Sequence, residues 1–145
     1  MKIKLFDQGC MPTKASTGDW YDLYAAEDIW VKPCQGHEPC VTNIPLGIAM
    51  QLPEGKYAMV VPRSSTPRKH GIMLAGSVGI IDNSYNGPED QWMFPAISIL
   101  EQGSIIRKGT RIAQFHLFDV GDELSFEEDS LEDNLNRGGF GTTGD

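Results

Sequence analysis

Glycine and proline cut this chain into short pieces. Sixteen glycines and nine prolines are spread over 145 residues, and the apolar stretches between them show almost no helical periodicity. The pattern predicts strands at Ile3–Phe6, Trp20–Ala25, Ile29–Val31, Val41–Leu52, Lys56–Val61, Ile72–Leu74, Trp92–Leu100 and Arg111–Phe118. Turns fall at Pro53-Glu54-Gly55, Glu101–Ser104 and Lys108-Gly109-Thr110, and one short helical turn fits Ser65–His70. Many short strands at close spacing make an all-β sandwich or barrel. The length suffices for one domain with a real core.

Charge is concentrated rather than spread. The net charge is −8, from 12 basic and 20 acidic residues, and Asp119 to Asp133 holds eight of the acids with no lysine or arginine. Outside that segment the charges balance, so no basic face for a nucleic-acid duplex is expected. A small anionic ligand needs only a few well-placed arginines. No apolar run is long enough for a bilayer and no signal-peptide pattern opens the chain, so a cytoplasmic protein is expected. Cys10, Cys34 and Cys40 are odd in number and irregular in spacing, which does not suggest a disulfide framework. Cys34 and Cys40 with His37 between them could form part of a metal site, against which stand the missing paired-cysteine spacing and the lack of an evident fourth ligand.

The stretch Gly79–Gly87, GIIDNSYNG, carries one carboxylate, Asp82, and a tyrosine, Tyr85, between closing glycines. Glycines there allow tight geometry and close approach of a ligand to the backbone. Gly76-Ser77-Val78-Gly79 reads as a strand with few side chains, and Asn83–Gly87 as a hairpin loop. The expectation is a bent hairpin that aims Asp82 and Tyr85 at a ligand; an ordinary hairpin with a solvated aspartate is the alternative. Arg137-Gly138-Gly139-Phe140-Gly141-Thr142-Thr143 offers a guanidinium, exposed N–H groups, hydroxyls and a ring able to cover a flat base. Such a tail has no core-forming power of its own and is expected to be mobile until it meets a ligand; a disordered terminus with an incidental aromatic is the alternative. Pro62-Arg63-Ser64-Ser65-Thr66 ends a strand and opens a helical turn, where backbone N–H groups favour phosphate or where Ser simply caps. Gln114 stands within an apolar strand and needs a partner. Asp22 lies in an apolar context, where a carboxylate wants a cation or donors.

Taken together, YDLYAA from Tyr21, PRSS from Pro62, GIIDNSYNG from Gly79, GTRIAQ from Gly109 and RGGFGTTG from Arg137 resemble the five motifs of the trimeric dUTP diphosphatase (dUTPase) family, in order and over essentially the whole chain. The resemblance implies a jelly-roll-like distorted β-barrel over residues 1–128 and a flexible arm over 129–145. It implies a homotrimer in which three subunits build each site, the arm of one closing over a site formed by two others. It implies hydrolysis of dUTP to dUMP and diphosphate, which keeps uracil out of DNA and supplies dUMP for thymidylate.

Residue roles follow from the same resemblance. Asp82 matches the general base that directs water at the α-phosphorus, and Tyr85 the ring that packs under deoxyribose and excludes a 2′-hydroxyl. Backbone groups of Gly76, Ser77, Val78, Gly79, Ile80 and Ile81 would read uracil. Ser64 matches the serine that stabilises the leaving group at the α-phosphate. Arg63, Ser65 and Gln114 would hold the phosphate chain; Arg137 would meet the γ-phosphate, Phe140 would stack over uracil, and Gly141, Thr142 and Thr143 would donate to phosphate. Asp22 matches the aspartate that holds Mg²⁺ through water. Some details depart from the family: Tyr24 stands where arginine is common, and Gly76 where some members have asparagine. A dCTP-deaminase relative shares the fold but would need a glutamate poised at cytosine C4, whereas Asp82-x-x-Tyr85 fits the diphosphatase. A regulatory protein gated by dUTP is the other reading, with Lys32–Cys40 and the acidic segment as its spare surfaces.

Overall fold

A computed structural model describes residues 1–36 and 39–132. Twelve strands occur among them: β1 Lys2–Leu5, β2 Thr13–Lys14, β3 Tyr21–Tyr24, β4 Ile29–Val31, β5 Thr42–Pro45, β6 Ile48–Gln51, β7 Lys56–Pro62, β8 Ile72–Leu74, β9 Gly79–Ile81, β10 Met93–Ser98, β11 Ser104–Ile106 and β12 Arg111–Asp119. A single helical turn, α1, spans Thr66–His70. The strands pair antiparallel in four small sheets, of which the largest runs β2-β3-β12-β7-β9 and the next β5-β10-β8. They wrap one core as a jelly-roll-like barrel, with Leu23, Ile44, Leu46, Ile48, Ile72, Trp92, Phe94 and Ile112 fully buried. Alternation sets which side faces in: in β10, Phe94, Ala96 and Ser98 are buried while Met93 is exposed. No helix among the described residues is long and apolar enough to cross a membrane.

Three sequence expectations need correction. The run Val41–Leu52 is two strands, β5 and β6, broken at Leu46-Gly47. Gly47 has φ +69°, and a Cβ there would lie 2.5 Å from Cys10 Sγ, so the break is a turn that only glycine fits. The expected hairpin over Gly76–Gly87 does not form either. β8 pairs with β10, whereas β9 pairs with β7. Gly76 and Ser77, at φ +83° and +68°, swing the chain from one sheet into the other. Last, Cys34 and Cys40 form a disulfide. A turn at Gly36 (φ +69°) brings their Cα atoms to 4.9 Å, within bridging range. The pairing takes up both thiols and leaves Cys10 as a buried free cysteine; His37 lies outside the described residues.

The β6–β7 turn closes with Lys56 N donating to Pro53 O (3.2 Å) and has Gly55 at φ +71°. The end of β12 is fastened to the same turn. Val120 N donates to Gly55 O (2.9 Å), and Lys56 pairs with Asp119. From Val120 to Glu132 the chain has no helix or strand, and Leu124 and Phe126 stand out in solvent.

Candidate active site

The last ladder pair of β9 joins Ile81 to Ala58, and Asp82 comes directly after it. Its carboxylate is exposed at the rim of a groove of about 340 Å³ lined by Gly79, Ile80, Ile81, Asp82, Tyr85, Gln91, Met93 and Pro95. Tyr85 N donates to Asp82 O (3.1 Å), which folds the loop so that both side chains reach the same groove. The Tyr85 hydroxyl donates to Gln91 O (3.2 Å), which fixes the ring while leaving it 40% exposed. Gly76, Ser77 and Val78 form the exposed turn that leads into this strand. One wall is apolar, with Met93 and Pro95 from β10 facing Ile80 and Ile81; the rim carries the carboxylate and the phenol. A flat, partly apolar ring with a polar edge suits such a groove.

A second cluster is built where β3, β7 and β12 run side by side. Asp22 on β3 stands opposite Gln114 on β12, and Gln114 opposite Val61 on β7. Directly opposed residues share a face, so Asp22 and Gln114 point the same way. Asp22 is only 9% exposed. Its Oδ1 lies 2.8 Å from Arg63 Nε, and its Oδ2 accepts from Arg111 Nη1 at 3.1 Å. Burial of the carboxylate thus sets two guanidiniums beside it. One negative and two positive groups leave a net positive cluster, and both arginines keep part of their surface open. Ser64 is exposed next to this pair. Ser65 occupies the N-cap position of α1, yet its hydroxyl makes no capping bond. Instead Thr66 Oγ1 donates to Ile112 O (2.7 Å), the same carbonyl that receives Arg63 N (3.4 Å). That carbonyl ties the Arg63–Thr66 segment to the strand that carries Gln114.

The two halves do not meet within one chain. Asp82 directly follows the Ile81–Ala58 pair, toward the Tyr57 end of β7, and Ser64 comes just past Pro62 at the other end. Tyr57 and Pro62 are separated along the strand by roughly 17 Å at the usual strand rise. Arg63, Ser64, Ser65, Gln114 and Asp22 are absent from the lining of the Asp82 groove. Of the residues expected from sequence, Asp82, Tyr85 and Gly79–Ile81 therefore form one set, and Asp22, Arg63, Ser64, Ser65 and Gln114 another. Arg137, Phe140, Gly141, Thr142 and Thr143 lie outside the described residues. Sequence reasoning did not assign Arg111, although it sits within GTRIAQ and answers the need of Asp22 for a cation. It also passed over Thr66 and Asn83, which act through backbone carbonyls that no spacing reveals.

A family model described as dUTPase matches residues 7–144. The SPbeta prophage-derived deoxyuridine 5′-triphosphate nucleotidohydrolase YosS of Bacillus subtilis is 41% identical over 145 residues, covering 99% of this chain and 97% of that protein. Two solved phage proteins share the fold. The Staphylococcus bacteriophage 80alpha dUTPase with dUPNHPP superposes with a TM-score of 0.76 at 21% identity, over 99% of this chain and 97% of that one. A mutant dUTPase of phage phi11 of S. aureus, described for its coordination of a structural Mg(II) ion, has a TM-score of 0.70 at 18% identity, over 90% and 97%. Motif order and the match along almost the whole chain agree, and the chain belongs to the dUTPase family.

Proposed function

We infer that this protein hydrolyses dUTP to dUMP and diphosphate, at sites assembled between copies of the chain. The separation of Asp82 from Ser64 along β7 supports a site shared between copies. A base and a leaving-group stabiliser must both touch one phosphate, so the Asp82 groove of one copy has to face the Arg63–Ser64 cluster of another. A homotrimer supplies three such junctions, and the arm over 129–145 would come from the third copy.

In this reading uracil and deoxyribose occupy the groove, the sugar against the Tyr85 ring, which leaves no space for a 2′-hydroxyl. Backbone groups from Gly76 to Ile81 read the base edge; a cytosine amino group would leave a donor unpaired, a severe mismatch in a polar site. The triphosphate crosses to the neighbour's cluster, where Arg63, Ser65 and Gln114 hold it. Asp82 takes a proton from water as the water oxygen bonds to the α-phosphorus. The bond from that phosphorus to the bridging oxygen breaks, and diphosphate leaves with Ser64 donating to the oxygen that gains charge. Arg137, Phe140, Gly141, Thr142 and Thr143 would close over the γ-phosphate and the base.

Asp22 is the residue that would hold Mg²⁺. Each carboxylate oxygen already faces a guanidinium, but each has a further lone pair. No group of three or more acidic, His or Cys ligands occurs among the described residues. Asp22 would hold such an ion through water. Such an ion would supply charge neutralisation along the phosphates.

Subunit complementation tests the assembly. Asp82→Asn and Ser64→Ala chains, each inactive alone, are unfolded, mixed equally and refolded. Random trimers should regain about a quarter of wild-type diphosphate release, because each junction draws the two residues from different copies. Mixtures that stay as inactive as either parent would place both residues in one chain's site and end this reading.

A further inference from the structure

Asn83 lies between the two side chains that enter the groove, and it points the other way. Its Nδ2 donates to Pro53 O at 2.6 Å, with Lys56 O at 3.2 Å and Leu52 O at 3.3 Å. Only the amide nitrogen can face three carbonyl oxygens, so the orientation of the side chain is fixed by its surroundings. Its backbone carbonyl accepts from Asn86 Nδ2 at 2.9 Å. The ladder between β9 and β7 stops at Ile81–Ala58. In continued register Asp82 would oppose Tyr57, and Asn83 would oppose Lys56. The bond to Lys56 O therefore holds the chain in line two residues beyond the last backbone pair. Asp82 is spanned by supports on both sides, with its own carboxylate left exposed. Lys4 braces the far end of the loop, donating to Pro88 O (2.7 Å) and Glu89 (2.8 Å).

We propose that Asn83 is a positioning residue for the reaction, a tether to the β6–β7 turn that fixes the loop from which Asp82 and Tyr85 reach their substrate. This rests on the assignment of Asp82 as base. An unanchored loop would let the carboxylate wander, and displacement on the order of 1 Å is enough to cost a hundredfold in rate.

The test compares Asn83→Asp and Asn83→Leu with wild type, using dUTP and UTP. Both variants should form the wild-type oligomer, lose at least about tenfold in kcat for dUTP, more than any rise in KM, and discriminate less against UTP. Asn83→Asp carries a signature of its own. Its carboxylate would face three carbonyl oxygens, which raises its pKa; once protonated it regains a donor. Its kcat relative to wild type should therefore climb as pH falls from 8 towards 5.5, whereas that of Asn83→Leu should not. Amide hydrogen exchange without nucleotide should speed up at Tyr85, whose N–H bonds to Asp82 O. Wild-type kcat and discrimination in both variants overturn the proposal. So does a loss that only follows melting temperature, with a flat pH ratio. If the wild type fails to hydrolyse dUTP, the assignment of Asp82 falls; the exchange data then decide the tether alone, and unchanged exchange at Tyr85 refutes it.

Discussion

Asp82 and Asp22 are both carboxylates, and their surroundings differ. Asp82 stands exposed at a groove rim. Replacing it with asparagine keeps shape and polarity but removes the proposed base. Diphosphate release should fall by about 10²–10⁴-fold, while binding of a non-hydrolysable dUTP analogue, measured by calorimetry, stays near wild type. Asp22 is buried and paired with both Arg63 and Arg111. Asp22→Asn leaves two guanidiniums without their counter-charge, so their forks lose orientation. KM for dUTP should rise, and the Mg²⁺ concentration needed for half-maximal rate should rise with it. The sequence revealed that Asp22 is buried among apolar neighbours and needs a cation. Which cations answer was not visible, because Arg63 and Arg111 meet it only through pairing across β3, β7 and β12.

Strands Ile29–Val31 and Ile72–Leu74 were legible to the residue, since turn residues bound them on both sides. The pairing of β9 was not. A local pattern suggested that it would turn back on its neighbour, but the left-handed Gly76-Ser77 pair sends it to β7 instead. That outcome puts Asp82 at one end of β7 and Ser64 at the other. The break between β5 and β6 also escaped a reading by alternation, because its cause is the approach of Cys10 to Gly47. Gly47→Ala should cost about 2–4 kcal/mol from the positive φ and the overlap with Cys10. Cys10→Ala in the same chain should restore part of it, seen as a urea midpoint moving back. Helix α1 adds a pH effect. Burial, then the charges of Lys69 and Arg63, hold the His70 pKa below its ordinary 6.5. The unfolded chain then binds the proton more readily, so this contribution is complete above pH 6.5 and is lost as pH falls through the folded value. Melting temperature should drop on acidification over that window, and His70→Gln should flatten the slope.

At the scale of the whole molecule, the acidic segment leaves the barrel without making a helix or strand as far as Glu132, its Leu124 and Phe126 uncovered. A chain end built this way has little to offer its own domain. Deleting residues 137–145 should leave the oligomer intact by sedimentation and lower dUTP turnover by at least about a hundredfold, as loss of phosphate-closing donors does. Full activity in the truncated protein would remove the arm from the mechanism. The β6–β7 turn has its own part in this. Its Pro53 and Lys56 carbonyls grip the segment after Asp82, and its Gly55 carbonyl grips Val120, where the tail departs. Two stretches far apart in sequence thus hang from one peg. Adding or removing a single residue there would shift Asp82 and Val120 together, so the length of this small corner is under constraint from both.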